Sequence, residues 1–194
     1  MTNTALTPRF EEALTYAARL HAGQTRKKTE RPYVGHLLGV ASLVLQYGAT
    51  EDEAIGALLH DAVEDQGGRP RLEEIRAKYG DRVAAIVEGC TDSFEQDAAR
   101  KPPWRVRKEH YIAHVRTAPH SVKLVSAADK VHNAREILAD VRINGGEIWS
   151  RFKGGRDGSL WYYRALVGAF GDGWSHPLVD ELDRTVTELE ALAR

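Results

Sequence analysis

Between Leu58 and Asp65 the chain reads LLHDAVED, which sets one histidine and three carboxylates directly after a run of leucines. Ionised side chains are seldom fully buried unless they are paired or bound to metal. On a helix, His60 and Glu64 share one face and Asp61 and Asp65 another. The adjacent His60 and Asp61 point about 100° apart, close enough to grip one ion from the side of a helix. Two other apolar helical segments carry a lone polar residue: His36 in PYVGHLLGVA and Asp129 in LVSAADKVHNAR. His36, His60, Asp61 and Asp129 make a mixed nitrogen and oxygen set, suited to Mn²⁺, Fe²⁺ or Zn²⁺ rather than to Ca²⁺ or a thiolate zinc site.

Each residue alone has a plainer account. A single histidine on an apolar face is more often a hydrogen-bonded core residue, and Asp129 has Lys130 and Arg135 nearby as ion-pair partners. Taken together with Glu64 and Asp65, the plain account requires several uncompensated buried charges, each costing kilocalories, so metal binding is favoured. Glu64 and Asp65 lie one turn beyond the His-Asp pair, where either can act as general base towards a water. Their mutual repulsion raises one pKa and favours proton uptake. The rival account makes them a solvated helix end ahead of Gly67-Gly68.

Cationic residues cluster twice, as Arg26-Lys27-Lys28 before the His36 segment and as Arg100, Lys101, Arg105, Arg107 and Lys108 around Pro102-Pro103-Trp104. In a chain of net charge −1, such clusters can focus a local field on a polyanion, or simply keep the surface solvated. Trp104 and Trp161-Tyr162-Tyr163 suit base stacking or, more commonly, a core. Cys90 has no ligand spacing around it and reads as packing.

The elements that must position these groups are helical throughout. Thr7-Pro8 caps a helix running towards Gly23, and a second helix over PYVGHLLGVASLVLQYG ends at Gly48. Thr50 and Glu53 have capping-box spacing and start a third through AIGALLHDAVED. Gln66 to Pro70 reads as a loop, followed by helices around RLEEIRAKYG and DRVAAIVEGCTD. Residues 92–103 form a polar loop or flap, after which helices run from Trp104 to Thr117 and from His120 to about Ala139. INGG, GGRDG and GDGWSHP mark breaks around an aromatic helix, LWYYRALVGAF, and Leu178, Leu182, Val186 and Leu189 line one face of a final amphipathic helix. Alternating strand patterns are missing. The expected fold is all-α, a single helical domain over residues 1–194.

With 42% hydrophobic and 28% charged residues the 194-residue chain has ordinary globular composition. A near-neutral charge argues against a nucleic-acid partner, and no apolar run approaches membrane-spanning length. MTNTALTPRF lacks the pattern of a signal peptide, and a single cysteine fits a reducing compartment, so a cytoplasmic protein is expected. The oligomeric state is left open.

The order His36, His60-Asp61, Asp129 resembles the HD superfamily of metal-dependent phosphohydrolases. Within it, the segments HAGQTRKKTERPYVGH, GALLHDAVED, YGDRVAAIVEGCTD and KLVSAADKVHNAR are similar to the hydrolase domain of the Rel/SpoT alarmone enzymes and to the stand-alone small alarmone hydrolases. The resemblance spans about residues 8–140. It implies an HD-type helical domain with His36, His60, Asp61 and Asp129 as ligands to Mn²⁺ or another divalent transition metal. It further implies Glu64 and Asp65 as the pair that orients or deprotonates the attacking water. Arg26 and Lys27 are then expected to contact the nucleotide and Asn133 to line its pocket; Arg107 and Lys108, outside the family's motifs, are candidate substrate contacts on their charge alone. The reaction implied is removal of the 3′-pyrophosphate of (p)ppGpp or a related nucleotide such as (p)ppApp, with no room for a synthetase domain. Phosphate-ester hydrolysis needs a Lewis acid, an activated water and cations around the charge, and this residue set supplies candidates for all three. Two rivals remain: an HD-type nucleoside 5′-monophosphate phosphatase, which releases orthophosphate, and a non-catalytic nucleotide-binding module, which has no need of Glu64 and Asp65.

Overall fold

The computed structural model describes residues 5–193; residues 1–4, which open the MTNTALTPRF segment, and residue 194 lie outside the described residues. Every regular element among the described residues is helical, with one isolated β-bridge between Thr25 and Pro32. The chain forms two compact units, one reaching Lys101 and adding Pro119–Ala128, the other made of Pro102–Ala118 and the residues from Asp129 onward.

In the first unit α1 (Pro8–Leu20) begins as expected, with Thr7 accepting from the Arg9 amide. The second helix, α2 (Val34–Gln46), stops at a turn in which Gly48 adopts φ 77°. Thr50 and Glu53 form the reciprocal capping box of α3 (Glu51–Leu59), whose residues 53–59 are all buried. This helix is the hub: α1, α2 and α6 (Asp81–Cys90) all pack on it. Gly56 permits the approach of α6, since a Cβ there would sit 2.7 Å from Ile86 Cγ2. The long helix α8 (His120–Asn144) enters this unit at its start, where Ser121 Oγ donates to Glu53 Oε1 at 2.7 Å.

Two expectations need correcting here. The helix expected to run unbroken from Thr50 through Asp65 is interrupted at His60 and Asp61 and resumes as a single turn, α4 (Ala62–Asp65). The expected loop 66–70 is shorter than foreseen because α5 (Gly68–Tyr79) already starts at Gly68, with Pro70 in its first turn, where a missing N–H costs nothing. Between α6 and Trp104, residues 92–103 carry no long helix, as expected. Their first half is tied down: Gln96 Nε2 donates to the carbonyls of Val63 and Glu64, both at 3.3 Å, and Arg69 lies 4.4 Å from the centroid of Phe94.

The second unit holds α7 (Trp104–Thr117), the rest of α8, a 3-10 segment (Gly145–Arg151), α9 (Gly155–Gly171) and α10 (Pro177–Leu192). Helix α8 continues five residues past the expected Ala139, where Arg151 binds Asp140 at 2.9 Å. The GGRDG segment starts α9 instead of forming a break. The aromatics serve as packing: Trp104 rests on Gly154 and Gly158 and meets Trp161 and Tyr162 edge-on. Leu178, Leu182, Val186 and Leu189 are buried as the periodicity predicts. No helix among the described residues is long and apolar enough to cross a membrane.

Gly68 has φ 62°, and a Cβ on it would meet the Phe94 carbonyl oxygen at 2.8 Å, whereas Gly48 faces open space. Gly68→Ala is therefore expected to destabilise the protein by more than the ~1–2 kcal/mol of left-handed strain that Gly48→Ala should cost. Urea unfolding of the two variants checks this, and equal losses would contradict it.

Candidate active site

The break between α3 and α4 is what builds the site. His60 ends α3 and turns Nδ1 onto the Ala57 carbonyl at 2.8 Å, using one of the orphan acceptors of that helix end. A carbonyl only accepts, so Nδ1 carries the proton and Nε2 is turned to the other side of the ring, towards Asp61. It lies 3.0 Å from Asp61 Oδ2. His36, placed by α2, brings its own Nε2 to 3.5 Å from the same oxygen. The two ring nitrogens are within 4.8 Å of one another and both imidazoles are buried.

Tyr33 completes the convergence. Its hydroxyl donates to Asp61 Oδ2 at 2.5 Å, and burial together with the Asp61 charge pushes the phenol far above its usual pKa, so it remains a donor. Asp61 thus has an oriented carboxylate held between two histidine nitrogens and a phenol.

Does this donor set fit a divalent metal? With its proton on Nδ1, a neutral His60 presents a lone pair to a carboxylate oxygen 3.0 Å away, which repels unless a cation or a second proton lies between them. Two imidazole nitrogens and one carboxylate oxygen, with one imidazole oriented from behind by a backbone carbonyl, are what borderline divalent metals select. The residues fit.

Glu64 and Asp65 follow on the single turn of α4. Asp65 is exposed at the surface, yet the protein atoms packed near it and the neighbouring Asp61 charge push its pKa up, opposed by a 2.7 Å hydrogen bond from Gln24 Nε2. The basic loop turns back on itself, with the Arg26 amide donating to the Arg31 carbonyl at 2.8 Å and Lys28 at φ 55°. Arg26 stands 5.3 Å from the centroid of Tyr33, next to the ring that holds Asp61, while Lys27 is exposed.

In the second unit, Asp129 is buried on α8 with both oxygens engaged: Lys130 Nζ donates to Oδ2 and Asn133 Nδ2 to Oδ1, each at 2.5 Å. Burial alone would lower the Lys130 pKa, but the Asp129 charge and hydrogen bond together with Tyr162 and Tyr111 outweigh it, and the ammonium is held well above its ordinary value. Lys130 also packs 5.0 Å from the Tyr111 ring centroid. Asn133 therefore has a structural bond to Asp129 that its expected place in a nucleotide pocket did not foresee. On α7, Lys108 lies 5.0 Å from the Tyr162 centroid and Arg107 is half-buried.

A model of the HD domain family matches residues 13–160. The chain belongs to the HD domain family. Among curated HD-type relatives, the zebrafish (Danio rerio) guanosine-3′,5′-bis(diphosphate) 3′-pyrophosphohydrolase MESH1 is 34% identical over 138 residues, 70% of this chain and 72% of that protein. The human (Homo sapiens) MESH1 is 37% identical over 132 residues, covering 65% and 68% respectively. A solved structure described as a metazoan ortholog of SpoT that hydrolyzes ppGpp superposes with a TM-score of 0.77 at 28% identity, over 95% of this chain and 97% of that one. The protein lmo0812 from Listeria monocytogenes superposes at 0.69 with 32% identity, over 78% and 96%.

Three residues at this HD site were not singled out from sequence: Tyr33, Gln24 and His21. All lie in the quoted HAGQTRKKTERPYVGH stretch, but an uncharged polar residue carries no desolvation signal, so only contact geometry reveals them. Tyr33→Phe removes the donor that orients Asp61. It is expected to weaken divalent-metal affinity by about tenfold with helical content unchanged, as judged by metal titration calorimetry and circular dichroism; unaltered affinity would contradict the orienting role.

Proposed function

We propose that this protein is a Mn²⁺-dependent hydrolase that removes the 3′-pyrophosphate of guanosine 3′,5′-bis(diphosphate) or a related nucleotide such as (p)ppApp. The observation that carries the proposal is the meeting of His36 and His60 nitrogens on one Asp61 oxygen, directly ahead of the Glu64-Asp65 pair. The relatives described above, whose names state this activity, support it. The whole chain is taken to work as one HD-type domain in the cytoplasm, acting on a small nucleotide and not on nucleic acid.

His36, His60 and Asp61 are the proposed metal ligands, with Asp129 as the fourth. Held by these residues, a divalent metal would supply Lewis acidity towards a phosphoryl oxygen and towards the attacking water. Glu64 or Asp65 takes a proton from the attacking water as its oxygen bonds to the phosphorus carried by the 3′ oxygen. That P–O bond breaks, and the carboxyl's proton passes to the departing 3′ oxygen, leaving the ribose hydroxyl and pyrophosphate. Burial and the neighbouring Asp61 charge raise the Asp65 pKa, which makes it a stronger proton acceptor than an ordinary carboxylate. Lys130 and Asn133 hold the Asp129 carboxylate in one orientation, as outer partners of metal ligands do. Arg26 and Lys27 are assigned to the nucleotide and its phosphates, the stacking of Arg26 near Tyr33 keeping that cation beside the site. Asn133, Arg107 and Lys108 are assigned as further substrate contacts.

Incubating the Mn²⁺-loaded protein with ppGpp and analysing the products tests the reading: pyrophosphate is expected, and orthophosphate or no release would overturn it. Two substitutions divide the roles. Glu64→Gln is expected to retain metal while turnover falls by about 10²–10⁴-fold. Asp129→Ala is expected to lose metal and lower the thermal midpoint, because metal affinity is partly folding free energy. Metal analysis with a thermal melt reads both, and equal metal loss in the two variants would contradict the division.

A further inference from the structure

Gln24 sits between the basic loop and α4 with every side-chain atom committed. Its Nε2 donates to Asp65 Oδ2 at 2.7 Å. Its Oε1 accepts from Gln66 Nε2 at 2.6 Å and lies 2.7 Å from His21 Nδ1. Turning the amide over would set its oxygen against a carboxylate and its NH₂ against the Gln66 NH₂, so one orientation alone is compatible with these neighbours. In that orientation His21 Nδ1 must be the donor.

Both donors are themselves held. His21 is buried and stacks on Tyr33, with ring centroids 5.2 Å apart and planes at 13°. Gln66 follows α4 directly, and its carbonyl accepts from Arg71 Nε at 3.0 Å, while Arg71 Nη1 reaches Tyr16 Oη on α1 at 2.8 Å. Tyr33 is also the residue that donates to Asp61. One stacked ring pair therefore ties the Gln24 amide and the Asp61 carboxylate into the same frame.

We propose that Gln24, locked by His21 and Gln66, is a positioning residue that aims the Asp65 carboxylate. The inference rests on the role assigned to Asp65 above. A single neutral donor on Oδ2 fixes the rotamer of Asp65 and leaves Oδ1 available to a water, with no added positive charge that would weaken a base. The amide thus supplies direction where α4, a single turn between a helix break and Gly67, is too short to supply it.

The test is a double-mutant cycle on kcat and KM with Gln24→Leu, Asp65→Asn and the pair, accompanied by metal titration. Gln24→Leu is expected to lower kcat by about 10- to 100-fold with KM and metal affinity within twofold of wild type. In the Asp65→Asn background the same substitution is expected to have no further effect, because its partner is already gone. Gln24→Glu keeps the length and both accepted contacts but turns an oxygen towards Asp65, so it is expected to lose at least as much turnover as Gln24→Leu. Additive losses, a wild-type kcat in Gln24→Glu, or metal affinity falling in step with turnover would each overturn the proposal. Absence of pyrophosphate release by the wild type would instead count against the functional assignment. A crystal structure of Gln24→Leu then decides the positioning claim by itself: Asp65 should leave its wild-type rotamer, and an unmoved Asp65 would refute it.

Discussion

One carboxylate oxygen organises the first unit. Asp61 Oδ2 is the point on which two buried imidazoles and a buried phenol converge, Tyr33 and His36 from the start of α2 and His60 from the end of α3. The Nε2 lone pair of a neutral His60 facing this oxygen is stable only with positive charge between them, whether a cation or an added proton. The surroundings are arranged to permit it. Helix α3 is wrapped by α1, α2 and α6, so its end is fixed in place, and the break at His60-Asp61 turns two consecutive side chains to one side instead of around a cylinder. The His60 bond to the Ala57 carbonyl then does two things at once, satisfying a helix terminus and choosing the tautomer whose Nε2 lone pair is turned to Asp61.

Within each unit, polar groups are arranged so that each of these carboxylates has its own partner. Asp61 takes Tyr33, Asp65 takes Gln24, and Asp129 takes Lys130 and Asn133. The choice of partner follows the duty proposed for each group. A fully ionised ligand gains from the ammonium of Lys130, while a group that must accept a proton is better served by a neutral amide. The basic residues ahead of α2 add cations close to Tyr33 without entering the buried set.

Much of this was legible in the sequence where burial and charge conflict. His36, His60, Asp61 and Asp129 stand out because polar groups interrupt apolar helical runs, and all but Asp61 are buried. Capping signals placed α1 and α3 within a residue or two, since Thr7-Pro8 and Thr50-Glu53 act locally. What failed was whatever depends on tertiary contact. The α3–α4 break has no Gly or Pro to announce it, and Gly68 and GGRDG looked like turns although packing recruits them into helices. Neutral residues such as Tyr33, Gln24 and His21 carry no local cost that would flag them, so their roles emerge only from distances. Asn133, an ordinary helix-surface residue by pattern, is explained by its bond to Asp129 four residues earlier.

The central claim is that the convergence on Asp61 is a metal centre. The most direct measurement is a crystal structure of the Mn²⁺-loaded protein with anomalous diffraction recorded for manganese. The account predicts one strong anomalous peak at coordination distance, roughly 2.0–2.3 Å, from His36 Nε2, His60 Nε2 and an Asp61 oxygen, with Asp129 as the fourth protein ligand. A peak elsewhere, or none, with the histidines bonded to Asp61 as imidazolium ions, would contradict it.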